Sequence, residues 1–199
     1  MLNKDKIIIS LGEACQPAHH LRLNGLRQAA FPFDWICTPP ESLINILQSK
    51  FEGFFDKENI FSQGIIHQTG ENYINKKYNF VFVHDFKNAA DFEDNFNKVK
   101  EKYERRIQRF YQALTCSSKI YFIRHKMPKD KTILLNDFLI KNFPNLEYNL
   151  LIIDDTEEIK QGWHIKNVIN CYMQTAPFNN ATDPKFNAAW ANFFKTYIK

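Results

Sequence analysis

At 199 residues and 44% apolar side chains, the chain can close its own hydrophobic core as one domain, residues 1–199, without disulfide or metal staples. Its net charge of only +4, with basic residues interleaved among acidic ones, argues against a dedicated nucleic-acid surface. It leaves a modest basic patch for a small-molecule, peptide or glycan substrate bearing an anionic group. The 19 phenylalanines make the core aromatic. Cys15, Cys37, Cys116 and Cys171 are widely spaced with no CxxC pair, so zinc-finger and thioredoxin-like readings find no support. No stretch approaches the roughly 20 apolar residues of a membrane span. The charged Met1–Lys6 start is unlike a secretory signal, so the expectation is a cytoplasmic protein with reduced thiols.

In chain order, Lys6 to Leu11 reads as a strand ending at Gly12. A helix follows over about 17–23, opened by Pro17 and stopped by Asn24-Gly25. Pro32 marks Phe31–Ile36 as a structured loop, and Thr38-Pro39 caps a second helix carrying Leu43, Ile46 and Leu47. Residues 52–76 are the least regular and fit a small hairpin or an active-site cover. Tyr78 to Val83 is a second strand, ending at His84-Asp85. Phe92, Phe96, Val99, Tyr103, Ile107, Phe110 and Leu114 recur at steps of three and four and define the clearest helix. Ile120–Ile123 is a strand ending at Arg124, and Asp130 caps a helix with Leu134, Leu135, Phe138 and Leu139 inside. Leu150–Ile153 and Val168–Cys171 complete the strands. Asp183 and Pro184 open a last helix whose Phe186, Trp190, Phe193 and Tyr197 face the body.

This alternation predicts an α/β fold: a single three-layer sandwich with a mainly parallel sheet flanked by helices, flavodoxin-like or SGNH-like in layout. In such sheets ligands bind beyond the carboxyl ends of the strands, which gathers Cys15, His84-Asp85, Arg124 and Asp154-Asp155 on one edge.

Cys15 stands at a strand–turn–helix junction, where free N–H groups and the helix dipole stabilise a thiolate near neutral pH. A thiolate is a nucleophile, although a cysteine there also simply fills space in many folds. His84 is its best partner, taking the thiol proton and returning it to a leaving group. Asp85, Asp34 or Asp154 would orient that imidazole. Arg106, Arg109 and Arg124 are candidates to grip a carboxylate or phosphate, while Arg105, Arg106 and Arg109 also fit a salt-bridged helix face. Asp34 fits either an orienting role or a hydrogen bond fixing its own loop, and Trp35 either a substrate contact or a core plug. His19 and His20 diverge by roughly 100° on their helix and read as solvated or supporting groups. No HExxH, Walker loop, GxGxxG or GxSxG occurs, so no metal or cofactor is expected.

Ser10-Leu11-Gly12 with Cys15, Gly25-Leu26-Arg27, Pro32-Phe33-Asp34-Trp35, His84-Asp85, the run Tyr103 to Phe110 and Phe122-Ile123-Arg124 resemble a family of uncharacterised, mostly microbial proteins. That family is labelled as papain-like cysteine peptidases, and some members sit among surface-polysaccharide genes. The resemblance covers roughly residues 6–125, with SLGxxC plus PFDW its most specific part. It implies Cys15 as nucleophile and His84 as base. It also brings a second fold expectation, a papain-like α+β arrangement with the cysteine's helix ahead of an antiparallel sheet. The expected function is a cysteine-dependent hydrolase or acyl transferase, with N–H groups near residues 13–16 holding the oxyanion. One alternative is a transferase or modifying enzyme acting on a surface-glycan precursor, with Asp34, Trp35, His84 and Asp85 at the sugar. Another is a non-catalytic ligand-binding protein.

Overall fold

The computed structural model describes residues 5–67, 70–177, 180 and 183–199, with the side chains of residues 65–67 outside that description. In chain order the elements are β1 (Lys6–Ser10), α1 (Gln16–Leu23), β2 (Ile36–Cys37), α2 (Pro40–Gln48), β3 (Ile60–His67), β4 (Gly70–Asn75), β5 (Phe80–Phe86), α3 (Ala89–Leu114), β6 (Lys119–His125), α4 (Lys129–Asn142), β7 (Tyr148–Asp154), β8 (Val168–Tyr172) and α5 (Asn187–Tyr197).

The strands form two four-stranded sheets. One is parallel, in the order β1-β6-β7-β8, with Ile8 opposite Tyr121 and Ile123 opposite Leu151. Continuous apolar strands need cover on both faces, and this sheet has it. Ile8, Tyr121, Ile123, Leu151 and Ile153 pack on Leu21 of α1 and on Trp190, Phe193 and Phe194 of α5. Ile7, Ile9, Ile120, Phe122, Leu150 and Ile152 point the other way, into a larger core shared with Phe110 of α3, Leu135 and Leu139 of α4, and Phe80 and Phe82 of β5.

The second sheet is antiparallel, in the order β2-β5-β4-β3. It corrects the expectation of one mainly parallel sheet: the strand expected at Tyr78–Val83 is β5, and it pairs antiparallel with β2 and β4. A short apolar run does not reveal the direction in which it will pair. Its partner β4 came from the irregular stretch 52–76, which holds a hairpin of β3 and β4. The fold is therefore mixed α/β, with one parallel sheet, one antiparallel sheet and five α-helices among the described residues.

Helix α3 matches its apolar stripe: Phe92, Phe96, Val99, Tyr103, Phe110 and Leu114 are buried. Asn88 caps it, its Oδ1 accepting from the Asp91 N–H at 2.8 Å. In α4, Pro128 occupies the cap position and Asp130 falls in the first turn beside Lys131, so Asp130 is not the cap. Leu134 points outward, and Leu135, Asn136 and Leu139 take the buried face. Asp183 accepts from the Lys185 N–H in a short 3₁₀ turn over Pro184–Phe186, just before α5 begins.

Candidate cysteine site

The site grows from the carboxyl end of β1. Leu11 N–H donates to the Ile123 carbonyl at 2.8 Å, and His125 N–H donates to that of Gly12 at 2.9 Å. Gly12 has φ +86°, and a Cβ there would lie 3.0 Å from Nη1 of Arg124, so the position needs glycine for both conformation and room. The chain then enters α1 with Cys15 at the cap position and the His19 N–H bonded to the Cys15 carbonyl at 2.8 Å. Among the described residues no side chain caps this turn, and Pro17 in its first turn carries no N–H of its own. Cys15 is half-buried, and burial pushes its thiol up while its own backbone N–H opposes the rise. Burial thus works against the thiolate that the helix start was expected to favour.

Arg124 is fully buried and holds the junction together. Its Nη1 donates to the Leu11 carbonyl at 2.7 Å and its Nη2 to the Thr38 carbonyl at 2.6 Å. Thr38 N–H in turn donates to the Glu13 carbonyl at 2.8 Å. These bonds tie the turn after β1 to the end of β2. Burial lowers Arg124 to about 10, which leaves it charged, and its charge opposes the rise that burial imposes on Glu13. Cys37, at the end of β2, is pushed up to about 12, first by burial and then by Coulombic interaction with the Cys15 thiol and with Glu13.

Cys15, His19 and Arg22 recur at i, i+4 and i+7 and share one side of α1. Gln16 and His20 take another side: Gln16 Nε2 donates to the Ala176 carbonyl at 2.7 Å, and His20 stacks on Trp190 at 4.8 Å. The Cys15 side faces Trp35, whose ring centre lies 5.7 Å from the Arg22 guanidinium and 5.6 Å from that of Arg27. Trp35 is the last residue of the turn that leads into β2, just before the buried Ile36. His84 is exposed and meets Trp35 edge-on at 6.1 Å. It sits on a bulge of β5, where Phe82 and Phe86 oppose Tyr73 and Glu71, four residue steps against two. Between the two ends, His19 Nδ1 lies 3.5 Å from Nη2 of Arg22. Burial and the Arg22 charge lower His19, so it is neutral at pH 7.

The other candidates lie behind Trp35 in a polar lattice. Asp34 Oδ2 accepts from Arg27 Nε at 3.1 Å, from Arg27 Nη2 at 2.6 Å and from the Phe31 N–H at 3.0 Å, which fixes the loop. Burial raises Asp34, and Arg27 opposes that rise. Asp85 accepts from Lys102 Nζ and from the Tyr103 hydroxyl, the latter at 2.8 Å. The Arg106 guanidinium lies 5.1 Å over the Tyr103 ring, and Arg109 Nη1 donates to the Ala30 carbonyl at 2.6 Å. The Asp85 contacts dock α3 onto β5, and Arg109 docks it onto the loop before β2. At the far edge, Asp154 accepts from the Asp155 N–H, and His125 Nε2 meets Thr175 Oγ1 at 2.8 Å. Among the described residues no group of three or more His, Cys, Asp or Glu is arranged to hold a metal.

The structure thus joins Cys15 to Arg124 through backbone, and Trp35 to His84 through their rings. It employs Asp34 in fixing its own loop and Asp85 and Arg109 in docking α3, and it leaves Arg106 over the Tyr103 ring. Sequence reasoning passed over Arg22, Arg27 and Cys37. The seven-residue step from Cys15 to Arg22 along a helix was the available signal for Arg22, and nothing local announced Cys37.

Fold and site together define a mixed α/β protein with a cysteine at a strand-to-helix junction facing an aromatic, arginine-flanked wall. The chain belongs to the family described as "Putative papain-like cysteine peptidase (DUF1796)", whose model matches residues 6–154. That span runs from β1 to the end of β7 and contains Cys15, Asp34, Trp35, His84, Asp85, Arg106, Arg109 and Arg124. The chain is also 28% identical over 166 residues to an uncharacterized protein, R408, of Acanthamoeba polyphaga mimivirus, covering 72% of this chain and 74% of the relative. No solved structure matches the chain.

Proposed function

We propose that the chain is a cysteine-dependent hydrolase or acyl transferase with Cys15 as its nucleophile. The observation that carries this is the position of Cys15 at an uncapped helix start, on backbone held by the buried Arg124. Because burial pushes the thiol up, attack requires a proton acceptor. In our reading His84 takes the S–H proton as sulfur bonds to the carbonyl carbon. The carbonyl oxygen, now an oxyanion, accepts from N–H groups near residues 13–16, where the turn enters α1. Collapse of the tetrahedral species breaks the bond to the leaving group, which departs with the proton from the imidazolium and leaves a thioester on Cys15. Water, deprotonated by the same imidazole, hydrolyses the thioester and restores the thiol; an amine or alcohol in place of water gives transfer. His19 supports a second assignment of the base, since it is neutral and one helical turn from Cys15. Separate His84→Ala and His19→Ala variants distinguish them, the true base being the one whose loss removes the rising limb of the pH–rate profile.

The test is Cys15→Ser, assayed with an activated acyl ester and checked for folding by circular dichroism. Turnover abolished in a folded variant is the expected result. Turnover that persists would falsify the assignment and favour the glycan-precursor reading, in which Asp34, Trp35, His84 and Asp85 frame a sugar and an arginine holds its anionic group.

A further inference from the structure

We infer that Arg22 is a recognition residue for an oxyanion on the substrate, and that the substrate is an acyl chain whose anionic end lies about 10 Å from the reacting carbonyl. This deepens the reading of Cys15 as nucleophile and rests on it. The span follows from seven residues at about 1.5 Å of rise each between Cys15 and Arg22. Both residues stand on the side of α1 that faces Trp35.

Two guanidinium groups approach Trp35, and their surroundings differ. Arg27 is neutralised by the buried Asp34 at 2.6 Å. Arg22 is exposed, and among the described residues no carboxylate pairs with it. Its contacts are the Trp35 ring and His19 Nδ1, one an aromatic face and the other a weak acceptor. Both orient the fork without satisfying its charge, since stacking leaves the in-plane N–H donors open. A planar guanidinium held this way is matched to a carboxylate or phosphate oxygen pair. Of the arginines singled out from sequence, Arg124 is committed to two carbonyls inside the core and Arg109 to the Ala30 carbonyl, and Arg106 lies over the Tyr103 ring with its Nη1 buried and without a hydrogen-bond partner among the described residues. Arg22 is the exposed arginine on the Cys15 side of α1.

The probes are N-iodoacetyl-aminocaproate, whose carboxylate sits at the end of a spacer suited to that span, and its neutral carboxamide. Site-resolved mass spectrometry reads the alkylation rate at Cys15. The carboxylate probe is expected to react several-fold faster than the carboxamide, roughly threefold to tenfold for one charge-assisted pair at a part-exposed site. Arg22→Gln brings the ratio to about one, Arg22→Lys retains part of it, and Arg105→Gln on the outer face of α3 leaves it unchanged. A phosphate-ended spacer shows which oxyanion is preferred. Equal rates in the wild type, or a preference that survives Arg22→Gln, overturns the inference. A second readout does not need a reactive thiol: the unreactive N-acetyl-aminocaproate should shift the Arg22 Nε–H and Trp35 indole resonances, and its carboxamide should not. Shifts with no alkylation at Cys15 would retain the anion site and sink the nucleophile; alkylation with no shifts would do the reverse.

Discussion

Arg124 shows how a charged side chain can be more architecture than chemistry. Its guanidinium is fully buried and bonds carbonyls 113 and 86 residues away in sequence. Removing it leaves two buried acceptors unsatisfied and frees the turn that carries Cys15. Arg124→Met should therefore destabilise the fold by roughly 3 kcal/mol, read as a lowered urea midpoint. Values within about 0.5 kcal/mol of wild type would mean the clamp contributes little. Cys15 was legible in the sequence because strand, glycine and helix start are adjacent along the chain. The role of Arg124 was not, because an arginine after a strand looks the same whether it faces a ligand or two distant carbonyls. Asp34 repeats the lesson, its charge answered by Arg27 seven residues earlier.

At the scale of elements, local signals were as good as the distances over which they act. The α3 stripe was plain, and so was its body, because the helical period repeats over 26 residues. Its cap is local, the Asn88 Oδ1 accepting from the Asp91 N–H and the Asp91 carboxylate from the Lys87 N–H. Asn88→Ala should cost about 1 kcal/mol, seen as a parallel shift of the urea curve with unchanged slope. The antiparallel pairing of β5 was not legible, since its neighbours β2 and β4 lie in segments read as loop or irregular. The bulge that turns His84 toward Trp35 and Asp85 toward Tyr103 was equally hidden, because it exists only as a register difference between two strands.

For the molecule as a whole, two buried histidines make stability depend on pH. His20 is lowered to about 4 and His125 to about 3, in both cases first by burial. Among the described residues, both ring nitrogens of His20 lack hydrogen-bond partners. Below about 6.5 the unfolded chain takes up protons that the folded state refuses, so these two contributions are fully present above that pH. They are lost as the pH falls toward 4 for His20 and 3 for His125, at no more than about 1.4 kcal/mol per pH unit for each. His20→Phe preserves stacking on Trp190 and removes one of them. Urea midpoints at pH 7.5 and 5.5 should therefore lie closer together in that variant than in wild type. An unchanged gap would mean that His20 is protonated in the folded protein.

All four cysteines are reduced and partly buried, so exposure alone does not single out Cys15. Its distinction is the helix start and the wall it faces. The most direct test is brief exposure of the native protein to an activated acyl ester at pH 7.5, with each cysteine read by mass spectrometry. One acyl group on Cys15, with Cys37, Cys116 and Cys171 unmodified, is the predicted result. Acylation spread evenly over the four, or absent from Cys15, would contradict the assignment of Cys15 as the nucleophile.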